Sequence, residues 1–132
     1  MSYHFSTKIK NTSFDDAVER VTEELKKEGF GVLTQIDVKE TLKAKLDVNF
    51  RPYKILGACN PPMAHKALSA ENKIGVFLPC NVVVQQHDNG DIEVSAVDPV
   101  ASMMAVGNKD LECIAGEIQK KMKLVVERLK KG

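Results

Sequence analysis

Two apolar stripes at helical spacing, one near each end of the chain, constrain the fold most. Near the amino end Phe14, Ala17, Val18, Val21 and Leu25 recur every three or four residues, opposite Asp15, Glu19, Glu23, Lys26 and Lys27. Near the carboxyl end Leu111, Ile114, Ala115, Ile118, Met122, Val125 and Leu129 trace a second stripe. An amphipathic helix must bury such a stripe against something apolar. Ser13 is placed to cap the first helix, with Asp16 at the capping-box position, and Gly29 supplies a left-handed stop. Gly107-Asn108 opens the last helix.

The partner surface is a set of strands. Tyr3–Ile9 alternates Tyr3, Phe5, Thr7 and Ile9 against His4, Ser6, Lys8 and Lys10, the pattern of a strand buried on one side. Phe30–Ile36 reads as a second strand, and Asp37 caps a short helix through about Leu46. Tyr53–Cys59 is a third strand, followed by a short helix that Asn60 caps and Pro61 begins, where a missing N–H costs nothing. The fourth runs Ile74–Val84, with Ile74, Val76, Leu78, Cys80, Val82 and Val84 on one face. Its other face is also partly apolar, which makes it central to the sheet or part of a subunit contact. Pro79 within it argues for a bulge or an edge, since proline cannot donate to the ladder. Asn89-Gly90 predicts a type I′ hairpin into a fifth strand, Ile92–Val97, and Asp98-Pro99 caps a short turn of helix through Met104.

The order is strand, helix, four strands, helix, with small helices in the connections. It predicts a two-layer α+β domain over residues 1–132, both long helices on one face of a mostly antiparallel sheet.

Charge excludes some partners. With 19 basic against 18 acidic side chains the net charge is +1, no field for nucleic acid or an anionic membrane. The basic runs Lys120–Lys123 and Arg128–Lys131 fall on the last helix and read as solvated surface. No apolar run approaches the ~20 residues of a membrane span, and no export signal is visible. Three cysteines without such a signal predict free thiols in a reducing cytoplasm.

Cys59 and Cys80 carry the most interesting chemistry, as a thiol pair that binds a soft metal or cycles between dithiol and disulfide. Neither a zinc-type spacing nor Cys-x-x-Cys is present. With the third and fourth strands antiparallel and Cys59 opposite about Ile74, the two would stand about 20 Å apart, beyond the ~7 Å limit for a disulfide. Parallel strands would bring them to the same end. Alternatively both are small core residues. Pairing about Asn89-Gly90 places Asp98 opposite Asn81, which makes a polar cluster of Asn81, Asp98 and the neighbouring Cys80. Asn60 joins the ligand-binding candidates Cys59, Cys80, Asn81 and Asp98. The metal-binding candidates are Cys59, His65 and Cys80, although His65 lacks a helical partner four residues away and defaults to solvent.

The stretches PYKILGACNPPMAHKAL (Pro52–Leu68), IGVFLPCNVVV (Ile74–Val84) and VDPVASM (Val97–Met103) closely resemble the uncharacterised domain-of-unknown-function 302 family. The resemblance spans essentially the whole chain. It implies a compact α+β domain similar to the TATA-binding-protein-like fold class, commonly forming homodimers, with no established activity. Likeness of fold to a DNA-binding protein is no argument for DNA binding.

Three functions compete on these residues. The first is a dimeric small-ligand or metal-binding module with a polar, thiol-bearing notch, its ligand and any cofactor unknown. The second is a thiol enzyme or redox sensor using Cys59, and the third a structural or protein-interaction domain.

Overall fold

A computed structural model of the chain describes residues 2–131; the side chain of Lys131, at the end of the basic run, lies outside the described residues. Five strands form one sheet, each hydrogen-bonded to its neighbours in antiparallel fashion: β1 (His4–Ile9), β2 (Gly31–Asp37), β3 (Tyr53–Cys59), β4 (Cys80–Gln86) and β5 (Ile92–Val97). Their order across the sheet is β1-β5-β4-β3-β2, so β4 is the central strand.

The helices are α1 (Phe14–Lys27), α2 (Val38–Leu46), α3 (Pro61–Ala70), α4 (Pro99–Met103) and α5 (Lys109–Lys131). Four begin as their sequences dictate. Ser13, Asp37, Asn60 and Asp98 each adopt an extended backbone and accept a hydrogen bond from an N–H in the first turn, of Asp16, Glu40, Met63 and Val100 respectively. Asn108 does the same for α5, accepting from Asp110 and Leu111.

Helices α1 and α5 lie together on one face of the sheet. Ala17, Val18, Val21 and Leu25 of α1 and Ile118, Met122, Val125 and Leu129 of α5 are buried against Leu56, Ala58, Val82, Val84, Val94 and Ala96. Arg128 clamps the two helices, donating to Glu24 at 2.8 Å and to Glu28 at 2.9 Å. A smaller second core joins Ala67 of α3 and Ile74 to Met103, Leu111 and Ala115. It anchors α3 over the end of the sheet where β3 stops and β4 starts.

Three expectations are corrected. The fourth strand begins at Cys80 and not at Ile74, because Ile74–Phe77 winds into a 3-10 turn. Ile74 is buried at 1% exposure while Val76 is 82% exposed, which a shared strand face would forbid. Pro79 therefore lies ahead of the ladder, after a cis Leu78–Pro79 peptide, and forms neither a bulge nor an edge within it. The sheet's irregularity is instead in β2, where the register shifts between Val32 and Thr34 and leaves Leu33 as the extra residue.

The hairpin also differs. Gln86 pairs with Ile92, and His87 and Asp91 close a three-residue loop in which Gly90, at φ +93°, is left-handed and Asn89 is not. A type I′ turn requires both central residues left-handed; this loop has the single left-handed glycine of the three-residue form. The extra loop residue moves the pairing by one: Val82 faces Ala96, a register that carries Asp98 to the level of Cys80 rather than of Asn81.

Candidate functional site

The site is built where α3 meets the sheet. Chain direction reverses at Asn60, whose buried side chain is used twice. Its Oδ1 accepts from the Met63 N–H, and its Nδ2 donates to the Glu28 carbonyl at 3.2 Å. Glu28 is the residue after α1, so one asparagine fixes the start of α3 against the end of α1. Gly29 beside it has φ +83°, and a β-carbon there would stand 3.1 Å from Asn60 Nδ2.

Across the ladder, Ala58 pairs with Cys80. The two strands are antiparallel, yet Cys59 and Cys80 meet at one end because β4 starts at Cys80. Neither arrangement expected from the sequence had that register. Between α3, the bulged β2 and these strand ends lies a cleft of about 290 Å³. Phe30 and Ile118 lie towards the core, Leu33, Thr34 and Pro79 come from the strands and loops, and Met63, Ala64 and Leu68 come from α3. Its accessible lining is almost wholly apolar. Leu33 and Leu68 rim it, 70% and 45% exposed.

Both cysteines are among the residues at the cleft, Cys59 half-buried and Cys80 buried. Burial pushes the Cys80 thiol up to about 11, and the neighbouring Cys59 adds to the rise. At neutral pH Cys80 is therefore a protonated, weakly nucleophilic group until something electropositive arrives to share its charge. Among the described residues no Lys, Arg, His, Asp or Glu side chain lines the cleft.

The other expected site residues lie elsewhere. Asn81 is exposed on the opposite, open face of the sheet, over a hollow shared with Tyr53, Val83, Gln85 and Ser95. Asp98 is buried at the start of α4, where its Oδ1 accepts from the Val100 N–H at 3.0 Å and both oxygens accept from Gln119 Nε2 at 3.0 and 3.1 Å. Those bonds tie α4 to α5. His65 is exposed on α3 and does not line the cleft. Among the described residues no three His, Cys, Asp or Glu side chains gather as a metal site would require.

Met63, Phe30, Thr34 and Ile118 went unremarked as site residues. Met63 had a signal: it stands four residues after Cys59, on the first turn of the helix that Asn60 caps. Phe30 and Ile118 had none, since an apolar residue lining a cleft looks like any core residue in sequence.

Fold and cleft together define an α+β domain of one antiparallel sheet, two long helices and a thiol-edged apolar notch. The chain belongs to the family described as domain of unknown function DUF302, whose model matches residues 5–129. It is similar to the crystal structure of an uncharacterized conserved DUF302 protein from Bacillus stearothermophilus, at 33% identity and a TM-score of 0.89. That likeness covers 98% of this chain and 99% of the other. No curated protein matches the chain.

Proposed function

We propose that the protein is a binding module for one small ligand or metal ion, held in the cleft between α3 and the β3–β4 end of the sheet. The observation that carries this reading is the convergence of Cys59 and Cys80 on one apolar cleft of about 290 Å³. That volume is at the lower end of small-molecule sites, and binding sites are characteristically apolar with few polar groups. Cys59, Asn60 and Cys80 belong to the site, Asn60 as the residue that sets α3. Asn81 and Asp98 face elsewhere and are left out of it.

An apolar fluorescent probe tests the cleft. One saturable site is expected in the parent protein, lost when Ala64→Phe fills the space. Equal binding by both proteins overturns the reading. A thiol enzyme based on Cys59 has less support, because no cleft residue is placed to take its proton or hold its thiolate.

Homodimer formation belongs to the same proposal. The open face of the sheet carries Tyr53, Ile55, Val83 and Val97 beside Ser6, Ser95 and Asn81. A sheet face of this mixed character suits a subunit contact. Sedimentation should give a dimer that Val83→Lys dissociates; a monomer at every concentration overturns it. The free thiols accord with a reducing cytoplasmic setting.

Among the described residues no helix is long and apolar enough to cross a membrane.

A further inference from the structure

We propose that the ligand of the cleft is an uncharged, apolar organic molecule about the size of two fused aromatic rings, and not a metal ion or an anion. This deepens the binding-module reading and rests on it.

The lining argues against charge. Among the described residues it carries no charged side chain, and its accessible surface is almost wholly apolar. An ion that entered would give up its water with nothing to take the water's place, which is costly for any buried charge without a partner. Asn60 brings an amide to the cleft, but both ends are engaged: its oxygen accepts from the Met63 N–H and its nitrogen donates to the Glu28 carbonyl.

The start of α3 argues the same way. The first turn of a helix ordinarily offers free N–H groups to an anion. Here Pro61 and Pro62 fill the first two helical positions and have no N–H to offer. The next two are taken, since Met63 donates to Asn60 Oδ1 and Ala64 to the Asn60 carbonyl. This helix start is closed to anions.

A metal ion lacks ligands. Ala58 pairs with Cys80 and Gly31 with Cys59, so the two cysteine side chains leave the sheet on opposite faces. Among the described residues no three His, Cys, Asp or Glu side chains gather there or elsewhere.

Small side chains make the space and set its size. Ala58 on the sheet faces Ala64 and Ala67 on α3, with Phe30 and Ile118 towards the core. A dry apolar cavity of roughly 150 Å³ holds one benzene ring. The cleft, at about 290 Å³, has about twice that volume. It suits a two-ring skeleton of about ten to thirteen heavy atoms, whose removal from water drives binding.

The test titrates the reduced full chain, by calorimetry, with three compounds of nearly one shape, substituted at the same ring position: acetylnaphthalene, naphthoate and naphthylethylammonium. One acetylnaphthalene per chain is expected, with the anion and the cation each weaker by about 30-fold or more. Acetophenone, which lacks the second ring, should bind about 10-fold or more weakly than acetylnaphthalene. Ala64→Phe, which fills the cleft, should abolish acetylnaphthalene binding. Where that variant fails to fold, Ala64→Leu decides in its place, with a loss of about 10-fold or more.

An anion or cation that binds as tightly as acetylnaphthalene overturns the proposal, as does equal affinity for acetophenone. The two levels of inference fail separately. Ion binding that the Ala64 variant abolishes sinks the uncharged class and leaves the cleft. No saturable binding by any of these compounds or by the apolar probe sinks both.

Discussion

Gly57→Ala should destabilise the protein, against the usual sign for such a change. In the middle of a strand, replacing glycine by alanine ordinarily gains roughly 0.5–1 kcal/mol, because glycine loses more freedom on folding. At Gly57 the space is already taken. A β-carbon there would overlap Thr34 Oγ1 from β2 and stand 2.7 Å from Pro79 Cγ. Thr34 can rotate, at a cost of order 0.5–1.5 kcal/mol if it leaves its rotamer. Pro79 cannot, because its ring is part of the backbone. Overpacking of this kind costs about 1–3 kcal/mol, so the net loss should be about 1–2 kcal/mol after the entropic gain. For a chain of this size that corresponds to a fall in melting temperature of roughly 3–8 °C. Urea unfolding of Gly57→Ala, Thr34→Ala and the double variant would measure it. Removing Oγ1 should recover about 0.5–1 kcal/mol of the penalty, a coupling that a double-mutant cycle resolves. A Gly57→Ala protein as stable as the parent, or more so, would refute the claim that Thr34 and Pro79 close over this glycine.

Three further expectations follow from polar contacts. Asn60→Ala removes the α3 cap and the tie to Glu28, and should cost about 1–2 kcal/mol in denaturant unfolding. Asp98→Ala leaves the Val100 N–H and Gln119 Nε2 without their acceptor and should cost about 1–3 kcal/mol; Gln119→Leu should melt at lower temperature as well. Lys27 first, and Arg128 with it, hold the Glu24 carboxyl below its usual value. A depressed carboxyl stabilises the fold above its unfolded-state value and loses that contribution as pH falls through its folded value. The melting difference between the parent and Glu24→Gln should therefore be present at neutral pH and fade as pH falls through the depressed folded value; a difference that grows on acidification would contradict the assignment.

The elements most legible in the sequence were those with local chemistry. Ser13, Asp37, Asn60 and Asp98 each announced a helix start, and each accepts the bond its position implies. The stripes of α1 and α5 named the core correctly because burial follows helical period directly. Where two conformations share a pattern, the sequence misled. Apolar residues at Ile74, Val76 and Leu78 satisfy strand alternation, but a 3-10 turn buries Ile74 and leaves Val76 in water. Asn89-Gly90 fits a two-residue turn, and only the adjoining pair His87–Asp91 shows the loop to be longer. That single residue undid the expected polar cluster, since a one-residue slip sends side chains to opposite faces. It removed Asn81 from the company of Asp98. The convergence of Cys59 and Cys80 depended on tertiary register, which no local signal fixes.

The strand order has a consequence for synthesis. Strand β1 is made first but pairs only with β5: Ser6 and Ser95, hydrogen-bonded at 2.8 Å, are 89 residues apart in sequence. A chain emerging from the ribosome can assemble the β2–β3–β4 portion while its leading strand still has no partner. Helix α5, which packs on β1 and β5, arrives later still. The amino end must remain uncommitted until most of the polypeptide has been translated. A chain truncated before β5 would present both the unpaired side of β4 and the apolar face of β1, two surfaces suited to aggregation.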